Sequence, residues 1–251
     1  METDVTLLRI ENLQKAFGSL VVTRDLNLVV TAGERHALIG PNGAGKTSLL
    51  HQIGGQLRPS AGRILFRGRD ITGASPDVVC RLGIARTFQQ NSLFRGLSAR
   101  ENVRLAIQAH QGPLYDPLTP VAALREHRER AEALLRRVGL AEGLDRTAAS
   151  LSYGEQRQLE IALALASEPA LLLLDEPTAG MSPAETERMI ELIRGLPRSL
   201  GILMIEHDMQ VVFSLADRIT VLYYGEIIAS GTGEEIRADP RVHEIYLGSP
   251  L

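Results

Sequence analysis

The stretch HALIGPNGAGKTSLLHQIGG, residues 36–55, decides the architecture. Its first residues form a short apolar run that reads as a buried strand, and KTSLLHQI has helical spacing that stops at Gly54-Gly55. Between them lies a glycine-rich loop, so the order is strand, loop, helix. The pattern G-x-x-x-x-G-K-[ST] is met by Gly40, Gly45, Lys46 and Thr47. Glycines in Gly40-Pro41-Asn42-Gly43-Ala44-Gly45 let successive N–H groups turn inward around phosphate oxygens, and the helix start adds partial positive charge. Lys46 is expected to reach the β- and γ-phosphates, Thr47 to offer its hydroxyl to Mg²⁺, and Ser48 to complete the set. The expected ligands are ATP and Mg²⁺.

Reading outward, VTLLRIENL and DLNLVV are strand-like, and GRILFRGRDIT predicts a further antiparallel pair. From about residue 90 to residue 150 the pattern becomes helical. Ser98 and Glu101 predict a capping box before NVRLAIQAH, and VAALREHRERAEALLRRVG is amphipathic up to Gly139. LLLLD and GILMIE, each after a helical pattern, predict parallel strands buried on both faces. A hairpin in DRITVLYYGEIIASG is expected to turn at Gly225-Glu226, and a short helix near RVHEIYLG to close the chain. The expected fold is α/β: a P-loop NTPase core with a mixed sheet, an antiparallel β subdomain and an inserted helical subdomain. We expect one domain over residues 5–251, with the core in 5–89 and 151–251 and the helical insertion in 90–150.

Composition narrows the classes. A net charge of -3 over 251 residues argues against a dedicated nucleic-acid binder. Cys80 is the only cysteine, which excludes an internal disulfide and suits a reducing compartment. The N-terminus lacks a basic start followed by an apolar run, so no signal peptide is expected. No apolar run approaches the roughly 20 residues that span a bilayer. Any role at a membrane would run through a partner.

LLLLDEP places Asp175 at the end of a buried strand, where a carboxylate can hold Mg²⁺ through its water shell. Glu176, just beyond, is placed to polarise an attacking water. In LSYGEQ, Ser152 and Glu155 form S-x-x-E, a capping box opening the helix EQRQLEIALALA, while Gly154 keeps that helix start free of bulk. A well-capped surface helix would read the same way.

LSYGEQ, about twenty residues before the Asp-Glu strand, resembles the signature motif of ATP-binding cassette (ABC) transporter ATPases, and the resemblance runs from Phe17 to the C-terminal hairpin. It implies that Ser152 and Gly154 meet the γ-phosphate of ATP held by a second cassette, so that two subunits pack head to tail. Phe17 stands where the family stacks an aromatic ring on adenine. Gln89 matches the loop glutamine at Mg²⁺, with Gln90 beside it as the alternative. His207, in LMIEHD, matches the switch histidine that holds the γ-phosphate and positions Glu176, and Lys46 joins Glu176 and His207 as the implied catalytic set. Two positions depart: Tyr153 replaces a common second glycine, and Ser182 replaces an aspartate of the inter-subunit loop. Ser182, Pro183 and Glu185 instead predict a helix start, which leaves coupling between the two ATP sites open.

The resemblance also implies integral-membrane permease subunits as partners, an external solute-binding protein acting indirectly, and a peripheral place on the cytoplasmic face of the cell membrane. ARTFQQNSLFRGLSARENV, DEPTAGMSP and IYLG look most like the ATPases of branched-chain amino-acid importers, which normally pair two different cassettes. A lipopolysaccharide-type exporter ATPase and a soluble non-transport cassette are the alternatives.

Overall fold

The computed structural model describes residues 6–87, 93–111 and 121–246. β1 (Thr6–Phe17) and β2 (Leu20–Thr31) are antiparallel, alternating buried apolar and outward polar residues along much of their length. β3 (Arg35–Ile39) is buried throughout and delivers the chain into the phosphate loop and α1 (Lys46–Ile53), which Gly54 caps. β4 (Ala61–Phe66) returns to pair with β1, and the two-residue β5 (Arg69–Asp70) completes a four-stranded sheet in the order β2-β1-β4-β5.

After α2 (Pro76–Arg81), β6 (Ile84–Arg86) enters a second sheet. Two helices then follow outside it, α3 (Ala99–Gln111) and α4 (Val121–Arg137). At the start of α3 only half of the expected capping box forms. Ser98 Oγ accepts the Glu101 N–H at 3.2 Å, but the Glu101 carboxylate turns to Arg104 Nε at 2.8 Å. α4 ends as expected at Gly139, whose φ of 83° and the Leu140 N–H to Leu135 C=O bond of 2.8 Å make a Schellman stop.

The chain goes back and forth through α5 (Tyr153–Leu165), β7 (Leu171–Asp175), α6 (Pro183–Gly195), β8 (Gly201–Ile205) and α7 (Met209–Leu215). β9 (Arg218–Tyr223) and β10 (Glu226–Gly231) form the hairpin, and α8 (Gly233–Ala238) and α9 (Pro240–Tyr246) follow. The hairpin turns one residue earlier than expected, at Tyr224-Gly225. Both have positive φ, 45° and 81°, as the tight turn matching strand twist requires, and Glu226 already pairs with Tyr223.

The second sheet has the order β10-β9-β3-β8-β7-β6, parallel except at β10. Its side chains alternate between two cores. Leu172 and Leu174 face the helical side, whereas Leu171 and Leu173 face the antiparallel sheet and α1. Four consecutive leucines are therefore needed because both faces are covered. β8 lies between β3 and β7, so the carboxyl ends of these three strands converge on one edge, where open parallel sheets place ligands. No helix among the described residues is long and apolar enough to cross a membrane.

Candidate functional site

The phosphate loop is set by close backbone approaches. A Cβ at Gly40 would lie 2.2 Å from Leu222 O, and one at Gly45, where φ is 102°, would lie 2.5 Å from Val22 O. Gly45 is also the N-cap of α1 and has no side chain with which to satisfy the helix's first N–H groups, which leaves them to an anion. Ala44 O accepts the Gly225 N–H at 3.0 Å, so the β9–β10 turn braces the loop. Lys46 folds back over the loop, its Nζ donating to Gly40 O at 2.7 Å and Pro41 O at 3.0 Å. Burial holds the Lys46 ammonium below its ordinary pKa, opposed by Glu176 and Asp175 nearby.

Asp175 ends β7 and is 2% exposed. Its Oδ2 accepts from Arg86 Nη2 at 2.8 Å, while Oδ1 is buried without a hydrogen-bond partner among the described residues. An orphaned carboxylate oxygen beside a phosphate loop suits a hard cation, which takes oxygen ligands and keeps part of its water. The donor chemistry of Asp175 with the Thr47 hydroxyl therefore fits Mg²⁺. Burial also lowers the Arg86 pKa against the pull of Asp175. Arg86 was not among the residues expected from sequence, where it reads as a charge leaving a three-residue strand.

Glu176 has φ of 50°, which turns the chain sharply out of β7. His207, just past β8, brings its Nε2 to 2.8 Å from Glu176 Oε1. The two expected residues, 31 apart in sequence, thus meet. Glu206, also unanticipated, is buried beneath them. Its Oε1 accepts from Thr178 N at 3.0 Å and Thr178 Oγ1 at 2.7 Å, and its Oε2 accepts the His207 N–H at 3.1 Å. Burial raises the Glu206 pKa despite these bonds.

The remaining residues sit apart. Phe17 ends β1 with 51% exposure, and Lys15 Nζ lies 4.8 Å from its ring centroid. Gln89 and Gln90 lie outside the described residues. Ser152 forms the full capping box on α5: its Oγ accepts from Glu155 N at 3.2 Å and its N–H donates to Glu155 Oε2 at 2.7 Å. Partial burial would raise the Glu155 pKa, but the Ser152 N–H and Arg146 hold it low. Gly154 lies close under Glu185, whose Oε1 would stand 2.8 Å from an added Cβ, so a side chain here would push that carboxylate aside. Ser182 caps α6 with the same motif, as expected. Ser152 and Gly154 open α5, whereas the loop, Asp175, Glu176 and His207 gather at the carboxyl ends of β3, β7 and β8. The arrangement is suited to phosphate binding next to a carboxylate–imidazole pair, a geometry for polarising water against a phosphoryl group.

A family model described as ABC transporter matches residues 23–179, and one described as branched-chain amino acid ATP-binding cassette transporter matches residues 226–250. The chain is 41% identical over 249 residues to the high-affinity branched-chain amino acid transport ATP-binding protein LivG of Salmonella typhimurium, covering 96% of this chain and 98% of that protein. It is 38% identical to the lipopolysaccharide export system ATP-binding protein LptB of Acidithiobacillus ferridurans, covering 96% and 97% of the two chains. The crystal structure of the ADP conformation of MJ1267, an ATP-binding cassette of an ABC transporter, superposes with a TM-score of 0.83 at 32% identity, over 97% of this chain and 99% of that one.

Proposed function

The chain belongs to the ABC transporter family as an ATP-binding, ATP-hydrolysing cassette, and on that premise we propose that it powers the import of branched-chain amino acids. The match of residues 226–250 to the branched-chain cassette model carries the choice of solute, since the ATP site itself encodes none. The similarity to LptB supports lipopolysaccharide export as the second reading.

In the proposed mechanism the loop from Gly40 to Ser48 cradles the phosphates, and Lys46 leaves its two carbonyl partners to meet the β- and γ-phosphates. Phe17 stacks on the adenine. Thr47, Asp175 and Gln89 would hold Mg²⁺, which supplies positive charge to the phosphate oxygens when bound. The Glu176–His207 contact carries the hydrolytic assignment. Glu176 accepts a hydrogen bond from the attacking water and so polarises it, and His207 fixes its carboxylate and faces the γ-phosphate. Ser152 and Gly154 of a second cassette close the site from the other side, so ATP favours a head-to-tail pair and its cleavage removes that preference.

The helical segment, residues 90–150, would receive a short helix of an integral-membrane permease, a helix-in-groove contact. An external binding protein then delivers solute, and the cassette sits peripherally on the cytoplasmic face of the membrane. Co-purification from membranes followed by reconstitution tests the whole reading. ATP-dependent uptake of labelled leucine or isoleucine is expected. A complex that moves lipopolysaccharide and no amino acid would replace the import reading with the export one. Glu176→Gln should retain ATP and lose turnover, and full turnover in that variant would remove Glu176 from the mechanism.

A further inference from the structure

We propose that Tyr153 is a positioning residue for hydrolysis, coupling the signature turn of a cassette to that same chain's Glu176–His207 pair. This rests on the reading that Ser152 and Gly154 face a nucleotide held by a partner cassette. Tyr153 is the first residue of α5, adjacent to Ser152. Its hydroxyl donates to Ala179 O at 3.1 Å and accepts from Arg157 Nε at 3.2 Å and Nη2 at 2.9 Å. Arg157 is itself held by the buried Glu160, 3.0 Å away. The Tyr153 ring covers Gly180, where a Cβ would come within 3.6 Å of it. A side chain at this position thus grips the loop that follows Glu176, which a glycine could not do.

From Ala179 the connection continues inward without a break. Its neighbour Thr178 is bonded through N–H and hydroxyl to Glu206, Glu206 holds the His207 N–H, and His207 Nε2 meets Glu176. Thr178 and Glu206 are buried, 7% and 3% exposed, so water does not compete for the two bonds between them. The loop is stiff as well: Ala179 N donates to Glu176 O and Met181 N to Thr178 O, both at 3.2 Å. A movement of the start of α5 is therefore passed to Ala179 and Thr178 together, and from there to the imidazole that orients Glu176. Engagement of Ser152 and Gly154 by the partner's γ-phosphate is such a movement. The Ser182 capping box fixes the far end of the same loop, so the usual aspartate is not needed for this route.

Tyr153→Phe tests this, because it keeps the ring on Gly180 and deletes only the hydroxyl's bonds. In the full chain we expect ATP binding by the monomer within about twofold of wild type and kcat lowered roughly 2- to 30-fold, the span of coupling changes along such networks. The wild-type Hill coefficient for ATP should exceed 1 and fall toward 1 in the variant. Glu206→Gln, which cuts the same route further along, should add little to Tyr153→Phe. Wild-type kcat and cooperativity in Tyr153→Phe overturn the proposal, as does a loss of kcat with the Hill coefficient unchanged. The two-cassette reading is checked separately with Glu176→Gln. If that chain forms an ATP-dependent dimer, a negative result condemns Tyr153 alone. If it forms none, both readings fall.

Discussion

Replacing Arg86 by Met would leave the Asp175 carboxylate buried with no hydrogen-bond partner for either oxygen among the described residues. Arg86 Nη2 lies 2.8 Å from Asp175 Oδ2, and the two side chains are only 7% and 0% exposed. The other oxygen, Oδ1, has no hydrogen-bond partner among the described residues, and among them the guanidinium is the one hydrogen-bond donor to this carboxylate. Two unit charges near 4 Å interact by about 4 kcal/mol at an effective dielectric constant of about 20. Breaking one side of a buried pair typically costs about 3–5 kcal/mol, since the survivor stays desolvated. We therefore expect Arg86→Met to destabilise the nucleotide-free chain by about 3–4 kcal/mol. For a domain of this size that is a fall in Tm of roughly 6–16 °C. Urea unfolding in EDTA measures the first number and calorimetry the second. Asp175→Asn, alone and combined with Arg86→Met, closes a double-mutant cycle in which the pair should cost at least about 2 kcal/mol less than the sum of the singles. A single-variant cost under about 1 kcal/mol, or additive singles, would refute the claim that Arg86 neutralises Asp175. Mg-ATP should stabilise the Arg86→Met chain more than wild type, because bound cation restores positive charge beside Asp175.

Other sites give sharp expectations. Gly45→Ala forces a Cβ to within 2.5 Å of Val22 O at a φ of 102°, whereas at Gly43, with φ of 80°, an added Cβ meets nothing. The first should cost about 2–3 kcal/mol and ATP affinity, the second only the roughly 1–2 kcal/mol of left-handed strain; equal costs in chemical denaturation would contradict the clash. Glu34 is held down to about 2 although burial alone would raise it, because His36 and Thr31 bond its carboxylate. Its folded pKa lies below the unfolded one, so its stabilisation is complete above about pH 5 and is lost as pH falls toward 2. That loss should be about 2–3 kcal/mol and should vanish in Glu34→Gln, as read from urea midpoints across that window. His207→Ala should lower kcat by about 10²–10⁴ without changing ATP affinity, and adding Glu176→Gln should lower it little further, since the two act as a unit. Multiplicative losses in steady-state assays would separate them.

The parts of this molecule that could be read from its sequence are those whose cause is local. The loop from Gly40 to Thr47 announces itself because its glycines, lysine and hydroxyl act within one strand–helix junction. LLLLD and GILMIE could be read because a strand covered on both faces must be apolar at every position. The capping boxes at Ser152 and Ser182 are likewise four-residue events. Arg86 and Glu206 were invisible for the opposite reason. Arg86 becomes a buried partner only when β6 pairs with β7, across 89 positions of chain, and in ARTFQQ it has the appearance of a solvated charge. Glu206 sits between an apolar strand and a histidine, where charge usually faces water; it is buried because Thr178, 28 residues earlier, returns to cover it. Tyr153 is the intermediate case. In the sequence it stands only as a departure from a common second glycine, yet the structure sets its ring against Gly180 and its hydroxyl on Ala179 O. The residue that departs from the motif is thus the one through which this chain meets the motif's demand in its own way. At Tyr153 the demand is that the α5 start and the Glu176 loop move as one, and the side chain supplies the link that backbone alone would leave to water.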